Sequence, residues 1–113
     1  MWKRLGRWLV PRIPADRAVR DGESDPSVLD AVRYHSSGYA GWDDTGKLLF
    51  LADYLEPRRA HRSTERAKLA KRVPRDRDAV LREVVALQIR ARLCADRRIP
   101  PLMLEFWNSL VRR

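Results

Sequence analysis

The stretch "KLLFLADYLEPRR" (residues 47–59) contains the most apolar run of this chain that also holds a carboxylate. Apolar side chains fill most of Leu48 to Leu55, and Pro57 ends the run. Asp43 precedes the run as a candidate helix cap, and Asp44 places a carboxylate in the first turn, where it favours the helix dipole. This pattern predicts a helix, and its apolar content predicts near-complete burial.

The segment before it, "SDPSVLDAVRYHSSG" (residues 24–38), predicts a short helix. Ser24 or Asp25 can cap this helix, and Pro26 suits its first turn. An apolar stripe follows and closes near Gly38. The stripe consists of Val28, Leu29 and Val32.

The sequence after residue 59 predicts three more helices and no strand. "STERAKLAKRV" begins a short helix at Ser63, which Pro74 interrupts. Residues 76–98 carry the longest amphipathic pattern, and a last helix follows Pro100. The apolar positions of the long pattern are Val80, Leu81, Val84, Val85, Leu87, Ala91 and Cys94. We therefore predict an all-α fold of about five helices, preceded by an irregular N-terminal segment.

Length and composition limit the chain to one small domain. It has 113 residues, 44% hydrophobic and 35% charged, with a single cysteine and a formal net charge of +9. One cysteine cannot form an internal disulfide, which favours a reducing cytoplasm. Twenty of the 24 basic residues are arginines scattered along the chain, a pattern typical of a solvated face. We expect no specific nucleic-acid partner.

Residues 1–24 differ in character from the rest. "MWKRLGRWLV" (residues 1–10) is short, basic and amphipathic, and a Pro- and Arg-rich linker follows it. No stretch of the sequence approaches the roughly 20 apolar residues of a membrane span. The tryptophans either pack on the domain or a partner, or anchor the chain at a membrane surface. We expect the first of these and no membrane partner.

Asp53 and His35 are the candidate chemical residues. Asp53 lies within the apolar run, where a carboxylate is costly to bury unless a positive group receives it. His35 lies 18 residues earlier, near the end of the preceding helix, and a turn between the helices could bring the two together. Imidazole and carboxylate are suitable ligands for a divalent metal. The alternative is a solvent-facing histidine and a salt bridge from Asp53 to Arg59.

Three segments, taken in order, resemble a known family. "VLDAVRYHSSG" (28–38), "KLLFLADYLEPRR" (47–59) and "IPPLMLEFWNSL" (99–110) are similar to the C-terminal half of the YqeK-type proteins of the HD superfamily. The middle segment is the most specific of the three. The resemblance implies that residues 25–113 form the C-terminal half of an HD-type helical domain, and that residues 1–24 match nothing in it.

The resemblance also implies roles for five residues. Asp53 matches the aspartate that closes the HD metal site, and His35 matches a histidine expected at the metal and phosphate pocket. Glu56 and Arg59 match a glutamate and an arginine expected to bind substrate phosphate. Asn108 matches a late asparagine. A local ion pair for Glu56 and a capping or packing amide for Asn108 remain open as alternatives.

The activity implied by the family is symmetrical hydrolysis of diadenosine tetraphosphate to two ADP. The family's cofactor is a divalent metal, with iron expected and manganese an alternative. The expected small-molecule partners are therefore a dinucleoside polyphosphate and ADP. A metal of this kind lowers the pKa of a bound water and offsets charge on phosphate oxygens.

One feature of the family pattern is missing. HD proteins are named for an adjacent His-Asp pair, and this chain contains none, since His35 precedes Ser36 and His61 precedes Arg62. The sequence therefore predicts a truncated or incomplete hydrolase, with a bound metal absent if its other ligands are missing. We expect a homodimer or a complementing N-terminal half as partner. The alternative is a non-catalytic remnant that acts as a basic binding or interaction module.

Overall fold

The computed structural model describes residues 19–20, 22, 24–56 and 63–111. The predictions for "MWKRLGRWLV", Arg59 and His61 lie outside the described residues. The chain divides into two compact units, Met1–Asp53 and Tyr54–Arg113. Every regular element in the described ranges is helical, and none is a strand, which confirms the all-α prediction.

Helix α1 of the first unit, Pro26–Arg33, forms where the sequence predicts it. Asp25 is the N-cap, and its Oδ1 accepts a hydrogen bond from the Ser27 backbone N–H at 2.9 Å. Because Asp25 rather than Ser24 makes this bond, the choice between the two predicted caps is settled. Three apolar side chains of α1 are buried: Val28, Ala31 and Val32.

A turn after α1 reverses the chain. The Gly38 backbone N–H donates to the Tyr34 carbonyl at 2.8 Å, and Gly38 has a φ of +83°, a conformation that glycine adopts at little cost. The Tyr34 ring stacks on the ring of Tyr39, with centroids 4.2 Å apart. The predicted closure of the helix near Gly38 is thus confirmed.

Trp42 joins the turn to both helices of this unit. It is buried, and its Nε1–H donates to the Asp30 carbonyl of α1 at 3.1 Å. Its ring lies 5.5 Å from that of Phe50. A Cβ at Gly46 would lie 2.5 Å from the Trp42 Cγ, so only glycine at position 46 allows the indole to approach.

Helix α2, Asp44–Tyr54, contains most of this apolar run. Asp43 caps it as predicted, and Asp43 Oδ1 accepts from the Gly46 backbone N–H at 3.0 Å. Leu49, Phe50 and Leu51 are buried. Leu48 is 41% exposed, so the prediction of near-complete burial is wrong at this position. A helix about 10 Å across presents one side to a small core, so a Leu on the other side stays in solvent.

The second unit consists of α3, Ser63–Cys94, and α4, Pro101–Val111. Helix α3 is broken at Asp76, whose φ of −149° and ψ of 52° are not helical. Its two arms, 63–75 and 77–94, together with α1, α2 and α4 make five helical segments within residues 24–56 and 63–111, in line with the predicted number of about five. The break falls two residues after Pro74 and not at Pro74 itself. Proline lacks a backbone N–H and restricts the residue before it, but it does not end every helix.

The core of this unit lies along the second arm of α3 and one side of α4, which are in contact. Met103 and Phe106 of α4 are fully buried. So are the first four residues of the predicted stripe, Val80, Leu81, Val84 and Val85, whereas Ala91 and Cys94 at its end are exposed. Across the described residues, no helix is both long and apolar enough to cross a bilayer.

Candidate functional site

The His35 ring is held by a backbone carbonyl of its own helix. Its Nδ1 lies 2.6 Å from the Val32 carbonyl oxygen, in a half-buried position just after α1. Because a carbonyl oxygen only accepts, Nδ1 must carry the hydrogen. In the neutral form of the ring, this bond leaves the lone pair on Nε2, the arrangement that orients a metal-ligating histidine.

The other nitrogen of the ring is the unusual one. His35 Nε2 is shielded from solvent and has no hydrogen-bond partner among the residues described. A buried polar atom without a partner costs about 1–3 kcal/mol, so such atoms in folded proteins commonly serve a ligand or a catalytic role. His35 Nε2 therefore fits as a ligand to a bound cation.

Asp53 occupies the end of α2. The residue is 6% exposed, and it interacts with another group of the chain. A buried carboxylate is costly without a compensating interaction. That a metal or an arginine compensates the charge of Asp53 stays a prediction.

His35 and Asp53 belong to the same unit, His35 in the turn after α1 and Asp53 in the last turn of α2. Within the described ranges no group of three or more His, Cys, Asp or Glu residues could hold a metal ion. The described residues thus supply no complete metal site, and the unpartnered Nε2 of His35 is a donor atom of a type suited to a metal. That His35 and Asp53 share one cation stays a prediction.

The N-terminus of α2, which positions this part of the chain, is tied to α1. Asp43 Oδ2 accepts from the Ser27 hydroxyl at 2.5 Å while Oδ1 accepts from Gly46. These hydrogen bonds, the one from Ser27 most of all, lower the pKa of Asp43 from its ordinary value of 3.8. The carboxylate is therefore ionised at neutral pH and links the starts of the two helices.

The other predicted site residues belong to the second unit. Glu56 is 6% exposed and interacts with another group of the chain. Asn108 is exposed on α4, so the packing alternative for its amide is wrong. It lies inside the helix, not at its N-terminus, so it does not act as an N-cap. Arg59 lies outside the described residues. Phosphate contacts by Glu56, Arg59 and Asn108 stay predictions.

The second unit also contains a cavity of 470 Å³ that no sequence pattern predicts. Among the residues that line it are Tyr54, Arg66, Gln88 and Cys94. Arg66 and Gln88 are 22 positions apart, and they line one cavity because α3 is broken at Asp76. No periodic pattern predicts such a pairing, so no sequence signal could have found it.

A comparison with solved structures indicates the class of protein to which the fold is similar. A crystal structure of a predicted HD-superfamily hydrolase involved in NAD metabolism, from Clostridium acetobutylicum, matches 91% of this chain with a TM-score of 0.74 at 25% sequence identity. The all-α fold described above is therefore that of the HD superfamily. No family model matches the chain.

The particular relatives are symmetrical bis(5'-nucleosyl)-tetraphosphatases. The Bacillus subtilis protein of that name is 41% identical over 56 residues, half of this chain, and the Staphylococcus aureus protein is 47% identical over 38 residues, or 34% of this chain. The protein from Halalkalibacterium halodurans is 38% identical over 47 residues, or 42% of this chain. These similarities confirm the resemblance to YqeK-type HD proteins that the three segments predict.

The matched regions are only parts of these proteins. They cover 26%, 25% and 20% of the Bacillus, Halalkalibacterium and Staphylococcus proteins, and 52% of the Clostridium structure. The chain therefore spans about half of the solved structure and about a quarter of the curated relatives.

Proposed function

We propose that this chain is part of an HD-type, metal-dependent phosphohydrolase that cleaves diadenosine tetraphosphate into two ADP. The proposal is supported by the similarity to three symmetrical tetraphosphatases and by the buried, unpartnered Nε2 of His35. In this proposal residues 25–113 correspond to the C-terminal half of the HD domain. The single cysteine suits a cytoplasmic location.

His35 and Asp53 would hold a divalent metal, iron or manganese, together with ligands that the described residues do not supply. Such a metal, when bound, lowers the pKa of a water and polarises a phosphoryl oxygen. The Val32 carbonyl fixes the His35 ring with its Nε2 lone pair available. The buried position of Asp53 keeps its carboxylate in a low-dielectric environment, where it attracts a cation strongly.

Arg59, Glu56 and Asn108 would bind the substrate. A guanidinium contacts two phosphate oxygens at once, so Arg59 is suited to hold the polyphosphate during cleavage. Glu56, which already has a partner, would orient that arginine or a phosphate hydroxyl. Asn108 is exposed and would reach a phosphate or ribose oxygen from outside the core.

The remaining metal ligands would come from a partner. In this proposal the partner is a second copy of the chain or a separate N-terminal half. Several large apolar side chains are exposed on the two units, which favours association. They are Val19, Leu48, Leu93, Leu104 and Val111.

The second candidate function is a non-catalytic basic module. It is favoured by the net charge of +9 and by the lack of a three-ligand group within the described parts of the chain. Such a module would bind phosphate-bearing partners through its arginines without turning them over.

Metal content and turnover separate the two candidates. The purified chain is loaded anaerobically with Fe²⁺ or Mn²⁺, its metal stoichiometry is measured, and ADP release from diadenosine tetraphosphate is followed by chromatography. Matched variants are His35→Ala against His61→Ala, and Asp53→Asn against Asp44→Asn. Asp44 is an exposed aspartate of the same helix.

The hydrolase proposal predicts bound metal and ADP release that are lost in His35→Ala and Asp53→Asn and kept in both controls. Removing a transition-state contact of this type lowers the rate by about 100-fold or more. A metal-free protein without turnover, with and without an added N-terminal half of a relative, would refute the proposal and support the binding module.

A further inference from the structure

The cavity of the second unit contains polar atoms whose hydrogen-bonding capacity is unused. Arg66 Nε and Nη1 and Gln88 Oε1 are shielded from solvent and lack a hydrogen-bond partner in the described part of the chain. Both residues line the same cavity. Leaving such groups unpaired is costly, most of all for a charged guanidinium. Two independent unpaired side chains in one cavity indicate a missing ligand.

The Arg66 side chain is held in place before any ligand binds. Its guanidinium carbon lies 4.6 Å from the centroid of the Tyr54 ring. A cation–π contact of this kind fixes the plane of the guanidinium and leaves its edges available. A guanidinium binds two oxygens of one group through Nη2 and either Nε or Nη1, and the latter two are both unpaired here.

Charge and shape then define the ligand class. Arg66 and Arg90 line the cavity, and no carboxylate does so among the described residues. The local charge therefore favours an anion. Leu87, Ala91 and the Tyr54 ring supply an apolar wall. The volume of 470 Å³ falls within the range of about 300–1,000 Å³ that is typical of small-molecule sites.

We propose that this cavity binds a small oxyanion, a phosphate monoester or a carboxylate, that has an apolar body and a hydrogen-bond donor next to the anionic group. The oxyanion pairs with Arg66, and the donor bonds Gln88 Oε1, which only accepts. This site goes beyond the proposed hydrolase function and does not depend on it.

The single cysteine of the chain provides a site-specific assay. Cys94 is exposed and lines the cavity, so a bound ligand should slow its alkylation. Alkylation of the full chain by neutral iodoacetamide is followed by mass spectrometry. The probes are 2-hydroxy-2-phenylethyl phosphate, mandelate and, as a neutral control with the same ring, benzyl alcohol. Both anions carry a hydroxyl donor, so the first two probes distinguish a phosphate ligand from a carboxylate ligand.

Four variants test the residues, with circular dichroism to verify folding. Arg66→Met and Gln88→Leu remove the unpaired groups, and Arg66→Lys keeps the charge but not the two-oxygen contact. Arg75→Met removes an equal charge from an exposed position of the same helix. We expect the concentration that half-protects Cys94 to rise about tenfold or more in Arg66→Met, and less in the other two cavity variants. Arg75→Met should behave as the unsubstituted chain.

Three results would overturn the proposal. One is the absence of protection by either anion, the outcome expected if Arg66 and Gln88 bond each other. Another is equal weakening by Arg66→Met and Arg75→Met, which would indicate charge alone. The third is protection by benzyl alcohol as strong as that by the anions. None of these outcomes depends on tetraphosphate hydrolysis, so the two proposals fail separately.

Discussion

Replacing Asp43 by alanine should destabilise the first unit by loosening the link between its two helices. The Asp43 carboxylate accepts one hydrogen bond from the Gly46 backbone at 3.0 Å and one from the Ser27 hydroxyl at 2.5 Å. Loss of an N-cap costs about 1 kcal/mol. Loss of a second bond to a charged group adds about 1 kcal/mol at an exposed site, so the total is about 2 kcal/mol.

The effect should depend on pH with a defined sign. The folded-state pKa of Asp43 is lowered from 3.8 by the Ser27 hydroxyl and the Gly46 N–H. A group with a depressed pKa contributes stability above its unfolded pKa, and this contribution is lost as the pH falls through the folded value. The difference between the unsubstituted chain and Asp43→Ala should therefore be full at pH 7 and shrink below about pH 3.8.

Urea denaturation followed by circular dichroism measures this effect. A double-mutant cycle with Ser27→Ala isolates the side-chain bond, and its coupling energy should be about 1 kcal/mol at neutral pH. Asp78→Ala removes an equal charge from a largely exposed side chain and should change the stability little. Additive effects of Ser27→Ala and Asp43→Ala, or a cost at pH 3 equal to that at pH 7, would show that the reasoning is wrong.

Two further substitutions test the cores of the separate units. Gly46→Ala should cost about 1–3 kcal/mol, since its Cβ would lie 2.5 Å from the Trp42 indole, and urea unfolding monitored by tryptophan fluorescence would detect it. Phe106→Ala should cost about 3–5 kcal/mol, because the ring is fully buried on α4, and thermal unfolding by circular dichroism would detect it. A stability unchanged within about 0.5 kcal/mol in either variant would contradict the described packing.

The local features of the fold could be predicted because short-range chemistry determines them. Asp25 and Asp43 act as helix caps, and α1 closes near Gly38, as predicted. Each depends on residues within four positions of the chain, so the sequence contains the necessary information.

Features that depend on tertiary contacts were less predictable. The apolar run of α2 does not show that Leu48 faces solvent, because burial depends on what surrounds the helix. The kink of α3 follows Pro74 but falls at Asp76. An ion pair of 2.6 Å joins Arg72 to Glu83 across this kink, and its partners are 11 positions apart.

In the candidate site, too, some features follow from local sequence and others depend on tertiary contacts. His35 and Asp53 were found from their residue types and motif, but the tautomer of His35 required the 2.6 Å contact to the Val32 carbonyl. The sequence did not predict that Arg66 and Gln88 line one cavity, because neither residue belongs to a motif. Function was therefore predictable where a motif carries it and not where folding alone assembles the groups.

We propose that His35 presents its Nε2 lone pair to a cation that Asp53 also binds. Nuclear magnetic resonance of the histidine rings during a Mn²⁺ titration tests this, because the paramagnetic ion broadens signals near its site. We expect Nδ1 of His35 to carry the proton, and substoichiometric Mn²⁺ to broaden the His35 ring signals in the unsubstituted chain and in Asp44→Asn but not in Asp53→Asn. Sharp His35 signals throughout the titration, or equal broadening in Asp53→Asn, would contradict it.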